Sequence, residues 1–239
     1  MRFQSIFKVI IVGMLACYSI NAIAAKILRV GTTADYPPVT YIDTQTGQYR
    51  GTAIKLIENF AHNQGYKIVF VKTTWPTLSR DLLAHRFDIA IGGISKTTQR
   101  AKLFLLSLPI GYSEKVPLVR CNEVSKFQTL SDINQPQVTV VENAGGTNAS
   151  FARSMLPNAH IVIVHNNELP FRYLLQGKAD VMITDLTEAL YRQEIMPGLC
   201  AVESQHFPNN PVAKVALFRK NGTALQKQFN DWLKQTHRN

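Results

Sequence analysis

The sequence predicts an α/β fold in two lobes, with mostly parallel sheets flanked by helices and a ligand cleft between the lobes. Three observations carry this. Short β-branched apolar runs alternate with segments of helical period along the chain. The 239 residues suffice for two α/β units of ordinary size. The pattern switches twice, near residues 114–118 and 211–214. Two segments therefore cross between the units, as at a hinge around a cleft. This places residues 26–117 plus 214–239 in lobe 1 and 118–213 in lobe 2.

The elements follow in order. Residues 27–31 read as a strand. Residues 53–63 read as a helix with Ile54, Ile57, Phe60 and Ala61 on one face and Gly65 as its stop. A strand over 67–72 precedes Trp75-Pro76, and a short helix over 78–85 follows. Residues 88–91 form a buried strand, and 100–106 read as helical. In the second half, β-branched runs at 138–141, 161–164 and 181–183 alternate with helices over 147–155, 168–176 and 186–192. One strand over 212–218 and an amphipathic helix over 223–236 complete the reading.

Composition limits the classes further. Apolar residues make up 46% and charged residues 18%, against the low apolar content of a disordered chain. Residues 1–25 read as an export leader. Arg2 and Lys8 give a basic start, an apolar stretch covers 9–20, and Ala22-Ile23-Ala24 supplies the small-x-small pattern for cleavage after Ala24 or Ala25. A membrane anchor and a lipid attachment at Cys17, within the imperfect Met14-Leu15-Ala16-Cys17 string, are the alternatives. The expected location is the periplasm, without stable membrane association. The formal net charge of +10 is scattered, with no Lys/Arg block of the nucleic-acid type. It suits steering of small anions, or a generic basic surface. Beyond the leader, Cys121 and Cys200 form an even pair in an oxidising compartment, so a disulfide between them is expected.

Several chemistries lack their signature. There is no dinucleotide or P-loop glycine string and no G-x-S-x-G elbow. The six histidines have no metal-ligand spacing. An enzyme built on this chain is expected to work through acid–base groups and electrostatics, without metal or nucleotide.

Some strings carry a resemblance. Val30-Gly31-Thr32-Thr33-Ala34-Asp35-Tyr36-Pro37-Pro38 resembles the first strand and loop of the amino-acid-binding proteins of ABC importers. So does Arg86-Phe87-Asp88-Ile89-Ala90 followed by Gly93-Ile94-Ser95-Lys96-Thr97-Thr98-Gln99-Arg100. The resemblance implies a type II periplasmic-binding-protein-like fold. It also implies that Arg100 grips a ligand carboxylate, a bidentate pairing that guanidinium suits, with Ser95 and Thr97 as further donors. A narrower similarity is to the periplasmic cyclohexadienyl dehydratases. It rests on Thr74-Trp75-Pro76-Thr77-Leu78-Ser79-Arg80-Asp81, Asn143-Ala144-Gly145-Gly146-Thr147-Asn148 and Thr184-Asp185-Leu186-Thr187-Glu188-Ala189, and on the two cysteines.

This second resemblance implies conversion of prephenate to phenylpyruvate, or arogenate to phenylalanine, with no cofactor. Loss of CO2 and water makes the ring aromatic, so the barrier lies in expelling hydroxide. A buried carboxylic acid can protonate the leaving group. By position Glu188 matches the general acid, and Asn143 a polar group that orients the substrate. Trp75 would pack on the ring. Thr147, Asp35, Asp185 and Lys115 complete the expected pocket, with Asp185 matching the carboxylate that binds a ligand ammonium in amino-acid-binding relatives. From spacing alone each has a plainer role: an i,i+4 pair with Arg192 for Glu188, a helix N-cap for Asp185, a turn for Asp35 and Asn143. The rival function is a non-catalytic binding protein that delivers an amino acid to an ABC permease. The chain departs from the family pattern at Val39 and at Gly51-Thr52-Ala53-Ile54-Lys55, where pocket shape is set.

Overall fold

A computed structural model describes residues 26–204, 206–207 and 210–236. The expected leader, its cleavage point and Cys17 lie outside the described residues. In chain order the elements are β1 (Lys26–Thr32), β2 (Asp35–Tyr36), β3 (Thr40–Ile42), β4 (Tyr49–Arg50), α1 (Thr52–Asn63), β5 (Tyr66–Lys72), α2 (Leu78–Leu83), β6 (Ile89–Ala90), α3 (Thr98–Leu103) and β7 (Leu105–Leu106). Then come β8 (Gly111–Ser113), β9 (Lys115–Arg120), a 3-10 helix (Cys121–Lys126), α4 (Leu130–Ile133), β10 (Thr139–Asn143), α5 (Thr147–Met155), β11 (His160–Val164), α6 (Leu169–Leu175), β12 (Val181–Asp185), α7 (Leu186–Ile195), β13 (Leu199–Ala201), β14 (Val212–Lys214), β15 (Leu217–Phe218) and α8 (Thr223–Thr236).

Two five-stranded sheets define the lobes, ordered β5-β1-β6-β15-β7 and β11-β10-β12-β9-β13. The chain passes from the first sheet to the second between β7 and β9 and returns between β13 and β15. On the way β8 and β14 pair antiparallel with each other. Each sheet has two parallel and two antiparallel pairings rather than mostly parallel ones. In both, the strand that has crossed the hinge, β15 or β9, runs against its neighbours.

Periodicity explains the core. Ile54, Ile57, Phe60 and Ala61 of α1 are buried, and Ile57 and Phe60 share a core cluster with Phe218 of β15 and Phe229 and Trp232 of α8. Burial of each such large apolar side chain contributes about 2 kcal/mol. Gly51 caps α1 at φ 121°, where a Cβ would strike the Val39 carbonyl, so this start tolerates only glycine. Lobe 2 is filled by Val140, Val181 and Ile183 on one side of its sheet and Val141, Met182 and Phe171 on the other. Cys121 and Cys200 are joined in a disulfide beside the β9–β13 edge.

Two expected elements differ. The helix expected over 100–106 ends at Leu103, because Phe104 turns extended and buries its ring, sending Leu105–Leu106 into the sheet beside β15. The single strand expected over 212–218 is two strands, since β14 serves the hinge pair and β15 enters the first sheet. The β2–β4 sheet escaped the sequence reading because its strands are only two or three residues long.

Candidate active site

Parallel strands end where the lobes face each other, the usual place for a ligand in an open α/β sheet. From lobe 1, Tyr36 of β2, Trp75 after β5, Ser95 after β6 and Arg100 of α3 reach the cleft. From lobe 2 come Asn143 of β10, Thr147 and Asn148 of α5, Asn167 before α6 and Asp185 of β12. Together these residues line one narrow cavity. The lobes meet closely. Gly145 sits at φ 84° with its Cα face against the backbone of Trp75 and Pro76, where a Cβ has no room. Asn167 Nδ2 donates to the Asp35 carbonyl across the cleft at 2.7 Å.

Arg100 donates from Nη1 to the Ser95 carbonyl at 2.6 Å, which aims the guanidinium along the cavity wall. Burial lowers its pKa to about 10, with Asp185 opposing, so it stays cationic at neutral pH. Thr97 caps α3 by accepting from the Arg100 amide at 3.1 Å; its hydroxyl therefore orients the helix rather than facing the cavity. Thr147 Oγ1 faces Ser95 Oγ across the cleft at 3.5 Å. Asn143 is buried, and its Oδ1 has no hydrogen-bond partner. Trp75 packs edge-on to Tyr36 with centroids 6.0 Å apart.

Asp185 occupies the N-cap position of α7 but makes no capping bond. Its Oδ1 lies 2.9 Å from Lys115 Nζ. Its Oδ2 accepts from Lys214 Nζ at 2.6 Å and from the Tyr36 hydroxyl at 2.5 Å. Burial would raise its pKa, but the two lysines outweigh burial and hold it at about 2. Lys115 also donates to Asn148 Oδ1, and Lys214 to Ser95 Oγ at 2.8 Å. Lys115 is thus held on Asp185 and borders, with Ser95, Thr97 and Thr147, an adjoining cavity of about 360 Å³.

Glu188 sits one turn into α7 and is fully buried. It stands just behind the wall, 3.5 Å from the Asn167 amide that lines it. Its Oε2 accepts from Thr184 Oγ1 at 2.7 Å, and Arg192 stays 3.9 Å away, drawn onto Glu168 at 2.5 Å. Burial raises the Glu188 pKa to about 8, against the pull of Thr184 and Arg192. Asp35 also stands behind the wall. Burial raises its pKa, and its Oδ1 has no hydrogen-bond partner.

Trp75, Ser95, Arg100, Asn143, Thr147 and Asp185 therefore meet at one cavity, Lys115 and the cap Thr97 border the cavity beside it, and Glu188 and Asp35 stand one layer out. Sequence reasoning missed Tyr36, Asn148, Asn167 and Lys214. Tyr36 and Asn148 lay within strings already singled out, and Lys214 at the second hinge crossing. Asn167 had no local signal. The departures at Val39 and Ala53 line an adjoining apolar cavity of about 190 Å³ that Lys214 also borders. Among the described residues no cluster fit to ligate a metal occurs, and no helix is long and apolar enough to cross a membrane.

Comparison with known proteins agrees with the two-lobe fold. Residues 28–239 match the profile of the bacterial extracellular solute-binding proteins, family 3. A Pseudomonas aeruginosa protein named cyclohexadienyl dehydratase is 40% identical over 207 residues, 87% of this chain and 76% of that protein. A probable amino-acid ABC transporter-binding protein of Haemophilus influenzae is 27% identical, over 73% of this chain and 66% of that one. Among solved structures, an ancestral amino-acid-binding protein described as a precursor of cyclohexadienyl dehydratase superposes with TM-score 0.83 at 32% identity. That match covers 89% of this chain and 90% of that one.

Proposed function

The chain belongs to the bacterial extracellular solute-binding proteins of family 3, and from that membership we infer a cyclohexadienyl dehydratase working in the cleft between the lobes. The observation that carries this is Glu188, a fully buried acid with a pKa of about 8 beside a cavity lined for an anion. A protein that only binds an amino acid gains nothing from such a group. The 40% identity to a cyclohexadienyl dehydratase supports the same reading.

The chemistry follows from these positions. Arg100 pairs with the side-chain carboxylate, helped by the α5 N-terminus, where Gly146 brings no capping side chain. Trp75 packs on the ring. The orphaned Asn143 Oδ1 accepts from the ring hydroxyl and turns it toward Glu188. For prephenate, the bond to the ring carboxyl breaks and its electron pair moves through the diene. The carbon–oxygen bond opposite breaks as Glu188 delivers its proton to the departing hydroxyl. The products are CO2, water and phenylpyruvate, and Glu188 is left as a carboxylate that regains its proton from solvent. No cofactor takes part. The leader read in residues 1–25 supports a periplasmic location for this activity.

The test is an assay of the purified protein with prephenate and with arogenate, without added metal or cofactor, following phenylpyruvate or phenylalanine. Turnover that exceeds the non-enzymatic rate and disappears in Glu188→Gln is expected. A folded protein that turns over neither substrate overturns the reading in favour of a binding protein.

A further inference from the structure

The cleft carries an excess of cations whose placement bears on which of the two substrates is used. With Glu188 protonated at neutral pH, Arg100, Lys115 and Lys214 stand around Asp185, the one carboxylate that lines the cavity, with Asp35 behind the wall. Burial pushes both the Tyr36 hydroxyl and the carboxyl of Glu142, on β10, well above their ordinary pKa values. Cations therefore outnumber carboxylates around the cavity. Prephenate carries two carboxylates and a keto group. Arogenate carries the same two carboxylates and an ammonium.

An ammonium needs a free carboxylate, and Asp185, the one carboxylate that lines the cavity, is already held by two lysines. Both oxygens of Asp185 are engaged, Oδ1 by Lys115 at 2.9 Å and Oδ2 by Lys214 at 2.6 Å and Tyr36 at 2.5 Å. An arriving ammonium would be the third cation on one carboxylate, and the three would repel one another. A keto oxygen meets no such repulsion and accepts hydrogen bonds from the same donors. Resting on the dehydratase reading above, we propose that Lys214, backed by Lys115, is a specificity residue that selects the 2-keto substrate, prephenate, over the 2-amino substrate, arogenate. Lys214 acts through Asp185, as a positioning group outside the reacting centre. Its place on β14 at the hinge brings it onto the site only when both crossings are in register.

The test compares kcat/KM for the two substrates in the unmodified protein and in Lys214→Met. The unmodified protein should prefer prephenate by about tenfold or more. Lys214→Met, which releases one oxygen of Asp185, should lower KM for arogenate and bring the two substrates to within about threefold. Equal efficiency in the unmodified protein, or preference for arogenate, overturns the proposal. So does an unchanged ratio in folded Lys214→Met; should that variant not fold, Lys214→Gln and the unmodified ratio carry the same decision. Turnover of neither substrate would overturn the dehydratase reading instead. Calorimetry with phenylpyruvate and L-phenylalanine then reads the charge inference alone. Tighter binding of the keto acid supports it, and equal or weaker binding overturns it.

Discussion

Asp185 and Glu188 stand three residues apart at the start of α7, both buried, and their environments push them in opposite directions. Around Asp185 the hinge brings two lysines into direct contact, and the carboxyl is held at about 2. Around Glu188 the one cation, Arg192, is turned away onto Glu168 and over the Phe171 ring, and the carboxyl rises to about 8. Burial acts on both; what separates them is whether a cation comes within hydrogen-bond reach. One turn of helix thus holds a fixed negative charge and a proton donor side by side.

The largest test of this contrast removes the proton. Glu188→Gln keeps the shape and loses the acid, so kcat should fall about a thousandfold with KM within about threefold. The second removes a cation from the other side. Lys115→Met leaves buried Asp185 under-compensated and should lower stability by about 3 kcal/mol in urea unfolding. The third reads the pH dependence. The acid must be protonated to act, so kcat/KM should be level from about pH 5 to 7 and decline as pH rises through about 8, tenfold per unit. Arg192→Gln, which removes a cation favouring the anion, should move that decline upward by about half a unit. The smallest effect is on folding. Glu188 has a raised pKa in the folded state, so its stabilising balance is full at acid pH and is lost as pH rises through about 8. Glu188→Gln should therefore gain about 2–4 °C in Tm relative to the parent at pH 8 compared with pH 7.

Much of the architecture was legible in local pattern. The α1 face and the β-branched runs at β10 to β12 stand in stretches where period and composition agree. What failed were places where tertiary structure overrides local preference: Phe104 leaving its helix to fill the core, and one apolar run divided between hinge and sheet. The site divides in the same way. Trp75, Ser95, Arg100, Asn143, Thr147 and Asp185 lie within recognisable strings. Lys214 meets Ser95 across 119 residues and Asp185 across 29, pairings that no local window records. Asn167, which links the cleft wall to Glu188, stands in a polar loop whose composition fits any turn.

The two tryptophans are placed so differently that they divide the labour of reporting. Trp232 is sealed in the lobe 1 core among Phe60 and Phe229, while Trp75 stands at the cleft with Gly145 of the opposite lobe against its backbone. Emission from Trp232 is therefore a constant background, and any change in colour or intensity on ligand addition belongs to Trp75. The protein carries its own optical gauge of lobe closure, readable by stopped-flow without a label.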